Sequence, residues 1–190
     1  PAMADVLDKL MSLEIVQKRA PINDPTNKRK SGYFVVDPLS LFYYRYVFRN
    51  ASARQLLDPE VFYDRHVFQD FEENYVPHMF EEICRQYLVR QNRTGKIKPA
   101  FDAIGKYWYD DPANKTSGEF DVVTQDPEGY AFYEAKFRKS PITQKMVDEE
   151  IAQVEATGLK CHRYGFFSRS GFEAGESDRT VFIDLPQMFG

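Results

Sequence analysis

The sequence contains little cysteine and no long hydrophobic run. Its 190 residues include two cysteines, and neither Cys84 nor Cys161 belongs to a Cys-x-x-Cys pair or to a Cys/His cluster. This spacing argues against a disulfide framework and against a structural zinc site. No apolar stretch approaches the ~18 residues of a membrane-spanning helix, so we expect no membrane partner. A reducing, cytoplasmic compartment fits these features.

Several functional motifs are also absent from the sequence. There is no Gly-x-x-x-x-Gly-Lys-Ser/Thr loop that would bind nucleotide phosphates, and no Gly-x-Ser-x-Gly elbow accompanies Ser168 or Ser170. No basic-then-apolar leader precedes the first periodic segment, and Pro1 is not an initiator methionine. We therefore expect the chain to be a fragment of a longer intracellular protein.

Charge is distributed unevenly along the chain. The net charge is -4, but residues 1–50 contain eight Lys and Arg against five Asp and Glu, whereas residues 51–190 contain 17 against 24. An acidic remainder argues against a protein that wraps nucleic acid through bulk charge. It leaves open a local acidic cluster that recruits a metal ion.

The N-terminal segment shows the order helix, strand, turn, strand. Residues 4–11 have helical spacing of apolar side chains, and two short apolar runs flank a polar stretch within residues 14–36. This order predicts a partial winged helix over residues 1–37, with Lys28, Arg29 and Lys30 at the tip of the wing. These three cations are candidate DNA contacts, or alternatively a solvated hairpin tip.

Two further regions follow. Residues 38–73 are predicted to form a helical connector, which begins with a short aromatic helix over residues 39–48. We expect this aromatic stripe to be core, and the alternative is that its tyrosines stack on bases. Residues 74–190 then show helical and strand patterns in the order α-β-β-β-α-β-β: helices at 76–91 and 141–156, and strands at 100–109, 119–124, 130–137, 163–168 and 179–183. This order predicts an α/β fold with a mixed sheet flanked by helices.

The second and third predicted strands carry the candidate chemistry. A turn at residues 126–129 would place Gln125 opposite Tyr130, Asp121 opposite Glu134 and Glu119 opposite Lys136. Strand alternation then puts the acids and Lys136 on one face and an apolar set on the other: Phe120, Val122, Ala131, Tyr133, Ala135 and Phe137.

Two carboxylates directly opposite each other are destabilising unless something compensates them. A divalent cation such as Mg²⁺ would do so, because it binds one or two protein carboxylates and keeps other positions for water and phosphate. Lys136 would then hold a water or a phosphate oxygen. The alternative is an ordinary Glu119–Lys136 ion pair, with Asp121 and Glu134 pointing into solvent.

Glu81 is a further candidate acid on the predicted helix 76–91. It lies about 100° around the helix from Phe80, at the flank of the apolar stripe, and could turn toward a site over the sheet. A solvated surface glutamate is the alternative interpretation.

Together, Glu81, Asp121, Glu134 and Lys136 form the pattern Glu...Asp-x(12)-Glu-x-Lys. This pattern resembles that of the PD-(D/E)XK nuclease superfamily, whose core is an αβββαβ unit with the acids on a central hairpin. The resemblance implies a restriction-endonuclease-like fold. It also implies that Asp121 and Glu134 are metal ligands, Lys136 the base that orients water or phosphate, and Glu81 an accessory acid.

Four segments resemble one particular family more closely: residues 32–38, 80–84, 119–123 and 167–172. They are similar to the C-terminal region of archaeal-type ATPases from archaea and bacteria, in which a winged helix precedes a nuclease-like domain. That family commonly has Ile between the two acids, where this chain has Phe120. The resemblance implies an ATPase domain upstream of Pro1 in the native protein.

These observations lead to two functional hypotheses. The first is hydrolysis of DNA phosphodiesters that depends on Mg²⁺ or Mn²⁺. The second is a non-catalytic nuclease-fold module that binds DNA or that docks and regulates the upstream ATPase. The sequence leaves open whether RNA is the substrate and whether the protein forms a homo-oligomer.

Overall fold

The computed structural model describes residues 2–111, 116–175 and 177–189, and the chain divides into two units. Unit 1 comprises Pro1–Ala20 and Thr26–Met79, and unit 2 comprises Pro21–Pro25 and Phe80–Gly190. The domain boundaries expected after residues 37 and 73 stay predictions.

Unit 1 contains a two-stranded sheet and several short helices. Its elements are α1 Met3–Ser12, β1 Val16–Arg19, β2 Gly32–Val35, α2 Pro38–Phe42, α3 Ala51–Leu56, α4 Pro59–His66 and α5 Phe68–Asp70. β1 and β2 pair antiparallel, with Val16 opposite Val35. The predicted order of helix, strand, turn and strand over the first 36 residues is confirmed.

The aromatic helix is only partly core. After α2, residues 43–48 continue with wider π-helical winding. Tyr46 is buried and packs against Phe62, Val67 and Tyr75. Only one side of the segment faces this cluster, so the other aromatic side chains remain 45 to 60% exposed: Tyr43, Tyr44 and Phe48. The prediction that the aromatic side chains of this helix are core is therefore correct for Tyr46 and wrong for Tyr43, Tyr44 and Phe48.

The remaining elements carry the larger sheet. They are α6 Val76–Arg93, β3 Ala103–Asp111, β4 Thr116–Asp126, β5 Gly129–Lys136, β6 Ile142–Thr143, α7 Gln144–Ala156, β7 Cys161–Ser168, β8 Phe172–Glu173, β9 Thr180–Asp184 and α8 Leu185–Phe189. The helix predicted from Pro141 begins three residues later, because β6 pairs with β8 as a small parallel sheet. Within the part of the chain that the structure describes, no helix combines the length and apolar composition needed to cross a bilayer.

The larger sheet is mixed, as predicted, with strand order β3-β4-β5-β7-β9. β3, β4 and β5 are antiparallel neighbours, whereas β5, β7 and β9 run parallel. Gln125 lies opposite Tyr130 across the β4–β5 turn, which confirms the predicted hairpin register at that end.

Helices cover both faces of this sheet. Phe80, Cys84 and Leu88 of α6 pack on one face with Val122, Tyr133 and Phe167. Val147 and Val154 of α7 pack on the other face with the sequence neighbours of those strand residues: Val123, Phe132 and Phe166. The alternation of strand side chains thus supplies two buried cores, which we call the α6 face and the α7 face.

Candidate active site

The predicted acids lie where β4 and β5 separate. The ladder between the two strands runs from Asp126 and Gly129 to Val122 and Tyr133. Asp121 and Glu134 are the first residues beyond it. From this point β4 continues its pairing with β3, and β5 continues with β7, so the sheet forms a fork. The predicted pairs Asp121/Glu134 and Glu119/Lys136 are therefore not rungs of the ladder.

A β-bulge in β4 reverses the predicted side-chain pattern. Gly105 of β3 lies opposite Val123, but Tyr107 lies opposite Phe120, so β4 carries one extra residue between these pairs. Phe120 consequently packs with Phe132 on the α7 face. Its burial was predicted correctly, but its placement on the face of Val122 was wrong.

The bulge also separates the acids. Glu119 is the neighbour of Phe120 in β4, so its side chain lies on the opposite face, the α6 face. Lys106 lies on the same face, because it is two residues from Ile104 in β3. Glu134 and Lys136 alternate with Phe132 and lie on the α7 face. The expectation that all four predicted polar residues of the hairpin share one face is therefore wrong.

On the α6 face, Lys106 joins two carboxylates. Its Nζ lies 2.6 Å from Glu119 Oε1 and 2.9 Å from Asp121 Oδ1, and we call these three residues the Lys106 cluster. Burial disfavours the charged form of Lys106, but the bonds to Glu119 and Asp121 outweigh burial and raise the pKa of the ammonium. Lys106 therefore holds Asp121 in position and neutralises part of its charge.

On the α7 face, Lys136 also joins two carboxylates. Its Nζ lies 2.7 Å from Glu134 Oε1 and 2.8 Å from Glu150 Oε1, and we call these three residues the Lys136 cluster. Burial again opposes the charge, but the two carboxylates raise the pKa of Lys136. The alternative interpretation, an ion pair between Glu119 and Lys136, is also wrong, because each residue belongs to a different cluster.

Glu134 has the most perturbed carboxylate of the fork. Burial is the largest cause and raises its pKa to about 7, even though Lys136 acts in the opposite direction. The charges of Glu150 and Asp121 raise it further, which places Asp121 within electrostatic range of Glu134 across the fork. The two clusters together contain four carboxylates and two lysines, so the fork carries more negative charge than the lysines balance.

Glu81 lies on α6 next to Phe80, whose ring is 5.3 Å from the ring of Phe137. Phe137 directly follows Lys136, so Glu81 is placed near the end of β5 at which the clusters lie. Burial mainly raises the pKa of the Cys84 thiol, and the charge of Glu81 adds to that effect. The role of Glu81 as an accessory acid stays a prediction.

The basic residues of the predicted wing lie in the loop between β1 and β2. Lys28, Arg29 and Lys30 are all exposed. The side chain of Asn27 accepts hydrogen bonds from the backbone N–H groups of Arg29 and Lys30, which fixes the turn. Their contact with DNA stays a prediction.

Sequence reasoning missed Lys106 and Glu150. Glu150 lies three residues after buried Val147 and four before Val154, so its position on the apolar side of α7 was a detectable signal. Lys106 is the one cation in the run from Ala103 to Tyr109. Its partners could not be inferred, because they depend on the bulge in β4.

The donor chemistry of the fork fits a hard divalent cation. Mg²⁺ binds carboxylate oxygens and commonly uses one or two protein carboxylates, which Asp121 and Glu134 can supply. Among the described residues, no set of three His, Cys, Asp or Glu side chains forms a metal-ligand group.

A family profile matches residues 43–153, which include α6, β3, β4, β5 and most of α7. This profile is that of DUF234, described as archaeal and bacterial proteins of unknown function. The chain belongs to the DUF234 family. The match contains Glu81, Lys106, Asp121, Glu134 and Glu150, so both clusters fall inside the DUF234 region.

Two other similarities accompany the family match. An uncharacterized protein of Methanocaldococcus jannaschii, MJECL04, is 27% identical over 103 residues, which cover 54% of this chain and 23% of that protein. The aligned region thus spans about a quarter of its relative. The crystal structure of a protein of unknown function, AF1548, is similar at a TM-score of 0.32 and 14% identity, over 54% of this chain and 58% of that one.

Proposed function

We propose that this DUF234 region is a metal-dependent deoxyribonuclease, a restriction-endonuclease-like domain that hydrolyses phosphodiesters in DNA. The observation that supports it most is that Asp121 and Glu134 are the first residues beyond the end of the β4–β5 ladder, where the charge of Asp121 still acts on Glu134. The mixed sheet with a helix on each face is compatible with a PD-(D/E)XK core.

The charge at the fork favours a divalent cation. Two lysines face four carboxylates in the two clusters, and Glu134 holds its proton unusually well because it is buried near other negative charges. Asp121 and Glu134 would hold Mg²⁺ or Mn²⁺. Such an ion would supply Lewis acidity toward a phosphoryl oxygen and toward water.

The remaining groups bind and orient the substrate. Because its pKa is raised, Lys136 stays protonated near neutral pH. It therefore acts by holding a phosphate oxygen or the attacking water rather than by accepting a proton. Arg138, Lys139 and Arg169 are exposed just beyond the carboxyl ends of β5 and β7, where they can contact neighbouring backbone phosphates.

We also propose that this region is the C-terminal part of a larger ATPase. The four segments that resemble archaeal-type ATPases, together with membership of DUF234, support a C-terminal position behind an ATPase domain. The helix and two-stranded sheet of unit 1 support a partial winged helix. DNA would then contact Lys28, Arg29 and Lys30 of the wing.

Nicking of supercoiled plasmid in Mg²⁺ or Mn²⁺ tests the activity. We expect Asp121→Asn and Glu134→Gln to lower the rate by about 10²-fold or more, since each removes charge that acts on the transition state. Glu128→Gln is the matched control, because Glu128 is an exposed carboxylate on the same hairpin. Equal rates in the wild type and Asp121→Asn, with both proteins folded, would contradict the proposal.

A second candidate function is supported by the two lysines. Lys106 and Lys136 already pair with the acids that a metal would need, as they would in a non-catalytic module that binds DNA or docks on the ATPase. Calorimetric titration with Mn²⁺ separates the two functions. Heat that disappears in Asp121→Asn supports the nuclease, whereas a docking module has no reason to bind Mn²⁺ at the fork.

A further inference from the structure

A polar cleft lies on the α6 face of the sheet in unit 2. It has a volume of about 680 Å³ and lies between the C-terminal half of α6, the loop that follows it, and strands β5, β7 and β9. Its walls include the side chains of Tyr87, Arg90, Lys96, Tyr133, Arg163 and Gln187.

The cleft is basic although the chain as a whole is acidic. Arg90, Lys96 and Arg163 line it, and none of the described lining residues is an Asp or a Glu. Arg90 donates to the carbonyl of Met188 at 2.6 Å, and Arg163 donates to the carbonyl of Lys98 at 3.2 Å. These bonds position both guanidinium groups without neutralising them. Each guanidinium has five N–H donors, so several remain for a ligand.

The floor of the cleft depends on Gly165, which has no side chain. A Cβ on Gly165 would collide with Cδ1 of Tyr133, so the Tyr133 ring lies directly over the backbone of β7. Arg163 is two residues earlier on the same strand and therefore projects on the same face. The guanidinium of Arg90 lies 5.6 Å from the ring centre of Tyr87, which adds an aromatic wall.

The cations of this cleft are separate from the Lys136 cluster. Arg163 lies opposite Ala131, whereas Glu134 and Lys136 are three and five residues further along β5. At roughly 3.3 Å per residue this separation is on the order of 10 Å or more, and the Lys136 cluster lies on the α7 face. Binding in this cleft therefore does not depend on a metal ion held by Asp121 and Glu134.

We propose that the cleft binds a phosphate-bearing ligand. Arginine pairs with phosphate oxygens through two parallel N–H donors, and three cations around one pocket can neutralise a diphosphate group. The volume is that of a site for a small organic molecule, and the tyrosines can contact the organic part of a nucleotide. The phosphates of a nucleic-acid strand share this chemistry.

Calorimetry with three probes tests the cleft: inorganic pyrophosphate, adenosine diphosphate and a short single-stranded oligonucleotide, all without divalent metal. Three variants change the lining: Gln91→Glu, Lys96→Gln and Arg163→Gln. Gln91→Glu is isosteric and adds a carboxylate, whereas the other two each remove a cation. We expect each to weaken binding by about tenfold or more, because each changes a charge at the phosphate. Arg54→Gln, an exposed arginine of α3, makes the same charge change elsewhere and leaves binding unchanged.

The probes identify the source of the phosphate. Binding of pyrophosphate or adenosine diphosphate that the variants weaken supports a small phosphorylated ligand. Binding of the oligonucleotide alone, weakened by the same variants, supports a nucleic-acid backbone as the ligand. If the folded wild type binds no probe, or if Gln91→Glu and Lys96→Gln bind as the wild type does, the proposal is overturned.

Discussion

At the scale of single residues, Glu134 is subject to two opposing influences. Burial and the carboxylates of Glu150 and Asp121 favour its protonated form, while Lys136 favours the ionised form. Burial prevails, so the pKa of Glu134 rises from 4.5 to about 7. In the unfolded chain this carboxyl returns to its ordinary value, which links the stability of the fold to pH.

The sign of that linkage gives a prediction. Between about pH 4.5 and 7 the folded state binds a proton that the unfolded state has lost, so the contribution of Glu134 to stability is full below this window and falls as pH rises through it. A shift of this size corresponds to about 3 kcal/mol. We expect Glu134→Gln to remove this part of the pH dependence, measured as the free energy of unfolding in urea without metal.

The exposed Glu128 again supplies the control. The difference in unfolding free energy between the wild type and Glu128→Gln should stay constant with pH, whereas the difference between the wild type and Glu134→Gln should change across the window. Parallel curves for all three proteins would show that Glu134 ionises normally.

At the scale of elements, the approach of β5 to β7 depends on Gly165. The ring of Tyr133, which is 5% exposed, occupies the space where a side chain at residue 165 would begin. A Cβ at that position would lie 2.5 Å from Tyr133 Cε1 and closer still to Cδ1, which is far below van der Waals contact. A buried ring in a packed core cannot move aside freely.

We therefore expect Gly165→Ala to destabilise the protein by about 1 to 3 kcal/mol through overpacking. Gly175→Ala is the matched control, because a Cβ at residue 175 would lie 3.9 Å from its nearest heavy atom, Gln144 Oε1, which leaves room for a methyl group. Urea denaturation of both variants measures the effect. Equal midpoints for the two would mean that Tyr133 can adopt another position at little cost.

At the scale of the whole molecule, the proposed binding of nucleic acid would depend on local basic segments rather than on the net charge. The net charge of -4 repels a polyanion at long range, whereas residues 1–50 carry an excess of cations. The exposed loop with Lys28, Arg29 and Lys30 presents part of that excess at one turn. Under the proposed function, this loop contributes phosphate contacts.

The double variant Lys28→Ala with Arg29→Ala tests this contribution. We expect weaker DNA binding and a salt dependence of log K that is shallower by about 1.8, since each lost phosphate contact removes about 0.9. Fluorescence anisotropy over a range of salt concentrations measures both quantities. Lys9→Ala with Arg54→Ala makes the same charge change at exposed helical positions. An unchanged slope in the loop variant would identify the loop as a solvated tip.

The sequence by itself determined the elements and the local register. Apolar spacing located α6, α7 and the strands of the mixed sheet, and the turn after Asp126 was sufficient to place Gln125 opposite Tyr130. These features depend on backbone periodicity and on residues close in the chain, so a single sequence contains their signal. The predicted pairing of Asp121 with Glu134 was not among them, because the ladder ends one residue earlier at Val122 and Tyr133.

Only the tertiary structure decided which groups face one another at the fork. The extra residue of β4 moved Phe120 to the α7 face, and it placed Lys106 rather than Lys136 beside Glu119 and Asp121. Glu150 reached Lys136 because α7 packs across that face. Such partners depend on the register and packing of segments distant in the chain, where a shift of one residue reverses the face of every side chain that follows.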